Sequence, residues 1–203
     1  MLTPKAVVFD LGNVLLDFDF AVAASNLAAR CRVPVRELQG LLDQSPLLHR
    51  YETGLLTSEE FFAEVRRLAG FQGNFSEFGE MFGDMFTPVT PMIRLHAGLR
   101  DNGFPTYIFS NTNALAVSHI RRLFPFFKNF DGYVLSYEHG AMKPDPRLYE
   151  VVEKMAGYRG TDLLYLDDRP ENIAVAVNRR WQTILQVSPK ETIEVFREAG
   201  ILG

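Results

Sequence analysis

The sequence predicts an α/β protein built on a doubly wound, Rossmann-like parallel sheet, with an α-helical cap inserted near its N-terminus. Two features of the chain indicate this fold class. Short apolar runs of strand length alternate with helical segments, as is typical of a parallel sheet with helices on both faces. A long segment after the first run has amphipathic helical spacing and no convincing strand pattern.

The predicted strands are five apolar runs, each followed by turn residues. They cover residues 6–9, 106–109, 133–135, 163–166 and 183–187. Helical length and spacing predict the intervening helices, with Gly103 and Gly157 as C-terminal stops. These helices cover residues 92–100, 114–123, 147–155 and 172–178.

Residues 18–90 are predicted to form the cap, and residues 1–17 together with 91–203 the core. Thr57, followed by two acidic residues, indicates the start of one cap helix. Because the insertion follows the first strand, it should lie over the carboxyl edge of the sheet, where open α/β sheets bind ligands. The expected cap helices cover residues 21–31, 35–42, 58–68 and 75–86.

Composition narrows the possible partners and compartment. The formal charge is −4, the isoelectric point is about 5.6 and the chain has no Lys/Arg block, which argues against nucleic-acid or anionic-membrane binding. The single cysteine, Cys31, permits neither an intramolecular disulfide nor a multi-cysteine metal site. The apolar run at 6–9 is too short for a signal-peptide core or a membrane span, so we expect a cytoplasmic protein.

Polar residues that could support chemistry follow several predicted strands. Asp10 ends the first strand, Ser110 follows the second, and Lys143 precedes a proline-stiffened helix start. Each alone has an ordinary structural explanation, as a turn residue, a helix cap or a surface lysine. The adjacent pair Asp167 and Asp168 is less ordinary, because neighbouring carboxylates repel each other unless a cation or a partner holds them.

The order of these residues indicates phosphoryl chemistry. All of them should lie at or near the carboxyl edge of one parallel sheet. Carboxylate oxygens there can bind Mg²⁺, while the metal and an ammonium group neutralise a phosphoryl group. A carboxylate nucleophile that forms an aspartyl-phosphate divides phosphoryl transfer into two easier steps.

The surrounding motifs resemble those of the haloacid dehalogenase superfamily over essentially the whole chain, and the insertion resembles its small helical cap. The motifs are Phe9-Asp10-Leu11-Gly12-Asn13-Val14, Ser110-Asn111-Thr112-Asn113, Met142-Lys143-Pro144 and Asp167-Asp168 followed by Asn172-Ile173. Among the subgroups they are most similar to bacterial sugar-phosphate phosphatases that act on α-D-glucose 1-phosphate. The resemblance implies a Mg²⁺-dependent phosphatase of a small phosphorylated metabolite.

The resemblance also implies roles for individual residues. Asp10 would be the nucleophile and a metal ligand, Ser110 with Asn111 would bind phosphate, and Lys143 would neutralise charge. In the remaining metal site, Asp168 would be the direct ligand, Asp167 would act through a hydrogen bond or a water molecule, and Gly12 would contribute its carbonyl oxygen.

Gly12 is a departure from the family pattern. Most phosphatases of the superfamily carry at this position a second aspartate that transfers protons to the leaving group and from water. Similar sugar 1-phosphatases also carry glycine here, which favours a variant of the mechanism over an inactive protein. The candidate replacements are Asp17, Asp19, His49 and Glu52, although a solvated surface position is the more ordinary explanation for each.

His49 and Arg50 are the expected cap contacts to the substrate, although a charged helix end explains this cluster equally well. Two other functions remain open. The chain could be a catalytically weak phosphosugar-binding regulator, or a 2-haloacid dehalogenase, against which the retained acidic pair argues. A phosphomutase is also conceivable. The sequence decides neither the physiological substrate nor the choice between monomer and homodimer.

Overall fold

The computed structural model describes residues 2–201, which contain seven strands. In chain order they are β1 (Ala6–Phe9), β2 (Leu16–Phe18), β3 (Phe86–Pro88), β4 (Thr106–Ser110), β5 (Gly132–Leu135), β6 (Leu163–Asp167) and β7 (Gln182–Leu185). Five form a parallel sheet in the order β5-β4-β1-β6-β7. The strand order reverses beside the central strand β1, which confirms the predicted doubly wound α/β class.

Helices separate most of the strands. In chain order they are α1 (Phe20–Ala28), α2 (Val35–Leu42), α3 (Pro46–Glu52), α4 (Ser58–Ala69), α5 (Phe75–Gly83), α6 (Thr90–Asp101), α7 (Ala114–Leu123), α8 (Ser136–His139), α9 (Pro146–Ala156), α10 (Pro170–Asn178) and α11 (Pro189–Glu198). Short 3-10 turns at Pro125–Lys128 and Gly160–Asp162 complete the connections. No helix among residues 2–201 combines the length and the apolar character needed to cross a bilayer.

The two faces of the sheet bury different side chains, because successive residues of a strand point to opposite sides. On one face, Val7 and Phe9 of β1 pack with residues of α6, α7 and α11. On the other face, Ala6 and Val8 pack with residues of α9 and α10. Burial on both faces explains why the central strands read as continuous apolar runs in the sequence.

Helices α1 to α5 share an apolar cluster of their own, rich in phenylalanine. Thr57 forms a capping box with Glu60 at the start of α4, as the oxygen-bearing cap and first-turn acids indicate. Cap and core meet at Tyr51, whose hydroxyl accepts a hydrogen bond of 3.0 Å from the backbone N–H of Leu115 in α7. The exact boundaries predicted for the two domains stay a prediction.

Five elements of the structure were not predicted, namely β2, β3, α3, α8 and α11. The segment 18–90 was expected to lack strands, yet β3 pairs antiparallel with β2 below the cap. Each of these strands has three residues, too few for an alternating pattern to be recognised. Helices α3 and α11 were not predicted, although both have serine N-caps followed by proline, a common helix start.

Candidate active site

The sheet brings the predicted chemical residues to one edge. Asp10 follows β1, Ser110 is the last residue of β4 and Asp167 is the last residue of β6. These three strands are neighbours in the order β4-β1-β6, so their carboxyl ends converge. Lys143 reaches the same place from the loop between α8 and α9. The edge therefore assembles the nucleophile, phosphate and charge positions expected from the sequence.

Lys143 is the centre of this cluster. Its Nζ lies 2.9 Å from Oδ1 of Asp10 and 2.7 Å from Oδ2 of Asp167, and it donates a 2.9 Å hydrogen bond to the carbonyl oxygen of Phe109. The lysine side chain is 1% exposed, so solvent does not screen these contacts. One buried ammonium group is thus shared between two carboxylates.

The carboxylate of Asp167 is fully engaged by protein donors. Oδ1 accepts hydrogen bonds from the Arg169 backbone (2.8 Å) and the Asn172 side chain (3.0 Å). Oδ2 accepts from the Tyr165 hydroxyl as well as from Lys143. Asp168 is only partly buried and accepts from the Asn13 side chain at 2.9 Å. This difference supports the expectation that Asp168 is the freer of the two carboxylates for direct metal binding.

Asn111 positions the loop that carries Lys143. Its Oδ1 accepts a hydrogen bond of 2.7 Å from the Lys143 backbone N–H, and its Nδ2 donates one of 3.0 Å to the Lys143 carbonyl oxygen. This paired contact joins the segment after β4 to the segment before α9. Asn111 therefore has a structural task in addition to the phosphate binding predicted for it.

Burial and the neighbouring charges shift the pKa values of Asp10, Asp167 and Lys143. Burial, opposed by Lys143 and reinforced by the carboxylates of Asp167 and Asp168, raises the pKa of Asp10. Burial acts the same way on Asp167, but the ammonium of Lys143 and several hydrogen bonds hold its pKa below the usual value. Burial opposes ionisation of Lys143, yet its two carboxylate partners raise its pKa. The ammonium group of Lys143 thus opposes the effect of burial on both carboxylates.

The donor set fits a hard divalent cation. One oxygen atom from each of Asp10, Asp167 and Asp168 lies within 4.8 Å of the others, and carboxylate oxygens are the ligands that Mg²⁺ prefers. Three carboxylates facing one ammonium group also leave an excess of negative charge in a mostly buried cluster. A divalent cation would offset that excess, which explains physically why the acidic pair is tolerated here.

The opposite side of the site suits a phosphate group. Ser110 is 3% exposed, and the three residues after it lead into α7, which is capped by the Asn113 side chain. Backbone N–H groups at a helix N-terminus, with the helix dipole, favour bound anions. Ser136 Oγ accepts a 2.9 Å hydrogen bond from the Thr112 N–H and so fixes this turn.

A cavity of about 500 Å³ lies over these residues, and residues of the cap form its other wall. Its cap wall includes the polar residues Asp43, Gln44, Ser45, His49 and Glu52, and its apolar wall includes Phe18, Phe20, Leu48, Met85 and Phe86. Arg50, a predicted substrate contact, is exposed and is not among the residues lining this cavity. Because positions 49 and 52 of α3 share the helix face toward the cavity, position 50 points elsewhere.

The structure also shows what occupies the space beside Gly12. A Cβ atom built on this residue would lie 2.7 Å from Cε1 of Phe18, inside van der Waals contact. Phe18 belongs to β2 and packs edge-on against Phe20, with a ring-centroid distance of 5.7 Å. An aromatic ring therefore fills the position where a side chain at residue 12 would begin. The sequence did not indicate this contact, because strand β2, which carries Phe18, was not predicted.

Gly12→Asp is expected to lower the free energy of unfolding by about 1 kcal/mol, the lower end of the range for overpacking, because the new side chain must displace the Phe18 ring, which is 38% exposed and can move toward solvent. The loss caused by Gly12→Asp should be smaller when residue 18 is already alanine, because the ring that blocks the new side chain is then absent. Urea unfolding of the wild type, of both single variants and of the double variant measures these effects. Additive losses in the double variant would contradict the proposed steric conflict.

Of the four candidates for the missing proton-transfer group, Asp17 and Asp19 lie away from the cavity. Asp19 caps helix α1 by accepting from the Ala21 N–H at 2.7 Å, and Asp17 is exposed on β2. Neither lines the cavity, whereas His49 and Glu52 do.

Sequence reasoning gave no task to two residues that hold Asp167 in place. Tyr165 and Asn172 both donate to Asp167, and both are buried. For Asn172 a signal was present, since it belongs to the Asp-Asp-x-x-x-Asn motif. Tyr165 lies within a predicted apolar strand, and nothing in the sequence indicated its hydrogen bond to Asp167.

Comparison with curated proteins finds relatives along most of the chain. A sesquiterpene phosphatase of Aspergillus oryzae is 26% identical over 177 residues, covering 86% of this chain and 85% of the relative. A D-ribitol-5-phosphate phosphatase of Bacteroides thetaiotaomicron is 26% identical over 191 residues, covering 88% of this chain and 90% of the relative.

Solved structures with the same fold include a haloacid dehalogenase family enzyme of Bacteroides thetaiotaomicron in complex with magnesium and inorganic phosphate. It is 23% identical, with a TM-score of 0.77 and coverage of 89% of this chain and 93% of the other. The L-2-haloacid dehalogenase of Xanthobacter autotrophicus is 19% identical, with a TM-score of 0.64 and coverage of 99% and 85%. Residues 4–178 match the family described as haloacid dehalogenase-like hydrolase. The chain therefore belongs to the haloacid dehalogenase-like hydrolase family.

Proposed function

We propose that this hydrolase cleaves a small phosphomonoester with the help of Mg²⁺ and becomes transiently phosphorylated on Asp10. The observation that carries the proposal is the cluster at the sheet edge, where Lys143 contacts both Asp10 and Asp167 beside the phosphate-binding turn at Ser110. The phosphatase activities of the two curated relatives support the same reaction.

In the first step, a carboxylate oxygen of Asp10 attacks phosphorus and the bond to the alcohol oxygen breaks. Ser110 and the backbone N–H groups of the following turn hold the phosphoryl oxygens, and Lys143 neutralises their charge. In the second step, water attacks the phosphorus of the aspartyl-phosphate, phosphate leaves and the Asp10 carboxylate is restored.

Mg²⁺ bound by Asp10, Asp168 and the Gly12 carbonyl would supply charge neutralisation for the phosphoryl group. Asp167, with its oxygens already engaged by Lys143, Tyr165, Asn172 and the Arg169 backbone, is assigned the indirect role. The donor set supports Mg²⁺ as the metal because it consists of oxygen ligands only.

The substrate that we propose is a sugar or polyol phosphate, with α-D-glucose 1-phosphate as the first candidate. A cavity of about 500 Å³ limits the substrate to a small molecule, and the polar cap wall with His49 offers partners to hydroxyl groups. The activity of the ribitol-phosphate relative agrees with this class. The cytoplasmic location, the absence of nucleic-acid partners and the oligomeric state stay predictions.

The apolar wall favours a second substrate class. Phe18, Phe20 and Phe86 line one side of the cavity and would pack against an apolar alcohol. The relative from Aspergillus oryzae is a sesquiterpene phosphatase. A short isoprenyl phosphate is therefore the alternative to a sugar phosphate.

The test is phosphate release from a panel with Mg²⁺ or with excess chelator. The panel contains glucose 1-phosphate, glucose 6-phosphate, ribitol 5-phosphate, a short isoprenyl phosphate and 4-nitrophenyl phosphate. We expect release that depends on Mg²⁺ and that is fastest for a sugar or polyol phosphate. Preference for the isoprenyl compound would select the second class.

Two outcomes would overturn the proposal itself. Binding of these compounds in calorimetry without release of phosphate would favour the regulatory phosphosugar-binding protein. Metal-independent chloride release from 2-chloropropionate, without phosphatase activity, would favour the dehalogenase.

A further inference from the structure

Hydrolysis of an alkyl phosphate requires a proton for the departing alcohol, and the family's usual donor is absent at Gly12. The Phe18 ring fills the adjoining space, so neither an acid nor its substitute can be placed there without moving an aromatic side chain. The donor must therefore come from another wall of the cavity.

Few ionisable side chains line this cavity. On the core side they are Asp10, Lys143, Asp168 and Arg169, and on the cap side Asp43, His49 and Glu52. The core groups are assigned to nucleophilic attack, charge and metal binding, apart from Arg169, which pairs with Glu171 and keeps its proton at ordinary pH. The cap groups are thus the candidates.

Among the cap groups, Glu52 has the environment of a proton-transfer residue. It is the last residue of α3, is partly buried and meets the Asn113 side chain of the phosphate turn, whereas His49 is exposed and Asp43 is the C-cap residue of α2. Burial raises the pKa of Glu52 to about 7, and a hydrogen bond to the Asn113 side chain opposes part of that rise. A carboxyl group with a pKa near neutrality can both donate and accept a proton during one cycle.

The position of Glu52 beside the phosphate turn is fixed by its neighbours. Asn113 lies three residues after Ser110 and caps α7, so Glu52 meets the core where phosphate is expected. Next to it, the hydroxyl of Tyr51 accepts from the Leu115 N–H at 3.0 Å and lies 2.7 Å from Oγ of Ser58.

Close approach of the backbone after α3 also holds this helix against the core. At Gly54, φ is +71°, and a Cβ atom there would lie 2.2 Å from the carbonyl oxygen of Tyr137 in α8. Only glycine combines this backbone conformation with such proximity. The helix end that carries Glu52 is therefore anchored on both sides, as a site for proton transfer requires.

We propose that Glu52 is the proton-transfer residue of this hydrolase and replaces, from the cap, the acid that is absent at Gly12. In the first step the Glu52 carboxyl group gives its proton to the alcohol oxygen as the P–O bond breaks, and becomes a carboxylate. In the second step that carboxylate takes a proton from the attacking water as the bond between phosphorus and Asp10 breaks. The inference rests on the proposed phosphatase function.

The test compares Glu52→Gln with the wild-type enzyme on two substrates. With the best alkyl phosphate of the panel, kcat should fall about 10²–10⁴-fold, the usual contribution of a positioned acid or base. With 4-nitrophenyl phosphate, the first turnover should stay rapid, because nitrophenolate leaves without a proton. The steady state should then be slow, giving a burst close to one nitrophenolate per enzyme and a phosphorylated Asp10 that mass spectrometry detects.

Glu37→Gln is the matched control, since Glu37 is an exposed glutamate of the cap helix α2 that does not line the cavity. It should behave as the wild type. Full activity of Glu52→Gln on the alkyl phosphate would overturn the inference. It would also be overturned if His49→Gln, and not Glu52→Gln, lost activity on the alkyl phosphate and kept the burst with 4-nitrophenyl phosphate. Inactivity of the wild type on every phosphomonoester would instead refute the proposed function.

A measurement on the wild type alone keeps the inference testable if the variant does not fold. The first-turnover rate on the alkyl phosphate should fall as pH rises through about 7, because Glu52 must be protonated for that step. The first-turnover rate on 4-nitrophenyl phosphate should lack this fall. Because Asp43, His49, Asp10 and Lys143 are common to both reactions, only the difference between the two profiles reports on proton donation. Identical profiles would overturn the inference.

Discussion

Asp10→Asn should reduce phosphate release from every substrate by a factor on the order of 10⁴–10⁶, the scale seen when a covalent nucleophile is removed from an enzyme. The neutral amide cannot attack phosphorus, and no aspartyl-phosphate can form. The chain should still fold, because Asn Oδ1 can accept the hydrogen bonds that Asp10 Oδ1 accepts from Leu11 N–H, at 2.7 Å, and from Lys143. Single-turnover assays with 4-nitrophenyl phosphate measure the loss directly, since even one turnover should be absent.

Thermal unfolding with and without Mg²⁺ gives a second readout for this variant. A ligand that binds only the folded state raises the melting temperature, so the wild type should melt higher with Mg²⁺. Asp10→Asn should show a smaller rise, because one charged ligand is lost. Asp101→Asn, an exposed aspartate at the end of α6, is the control and should match the wild type in both assays. Burst formation by Asp10→Asn would exclude Asp10 as the nucleophile.

The core of the candidate site could be predicted from the sequence because strand ends are local features. A buried apolar run fixes where a strand stops, and parallel strands place their carboxyl ends at one edge. That reasoning placed Asp10, Ser110 and Asp167 together, and the structure brings them there. It required no knowledge of how loops or helices pack.

The cap wall could not be predicted in the same way, because it depends on helix orientation. Sequence alone placed His49, Arg50 and Glu52 in one polar cluster, without saying which of them faces the core. Helix α3 turns residues 49 and 52 toward the cavity and Arg50 to solvent. The choice is made by long-range contacts such as that between Tyr51 and Leu115, 64 residues apart. Likewise, the Phe18 ring reaches Gly12 only because β2 pairs with β3, which is about 70 residues away in the chain.

Lys143→Met should abolish turnover and also destabilise the fold. Methionine fills a similar volume but leaves Asp10 and Asp167 buried without their shared ammonium group, which lies 2.9 Å and 2.7 Å from them. Removing one partner of a buried ion pair costs about 3–5 kcal/mol, because the remaining charge is uncompensated. The Phe109 carbonyl loses a donor as well. Urea unfolding without Mg²⁺ measures the stability change.

Lys5→Met is the matched control, since Lys5 forms an exposed ion pair with Asp162 at 3.1 Å and such pairs contribute only about 0–1 kcal/mol. Its free energy of unfolding should stay close to that of the wild type.

Mg²⁺ should restore part of the stability of Lys143→Met, because a cation at the acidic cluster offsets the negative charge that is uncompensated without the lysine. It should not restore hydrolysis, because the phosphoryl group still lacks its ammonium partner. This separates two tasks of Lys143: holding the carboxylates together in the fold, and receiving the charge of the substrate. Recovery of activity with Mg²⁺ alone would show that the lysine serves only the first.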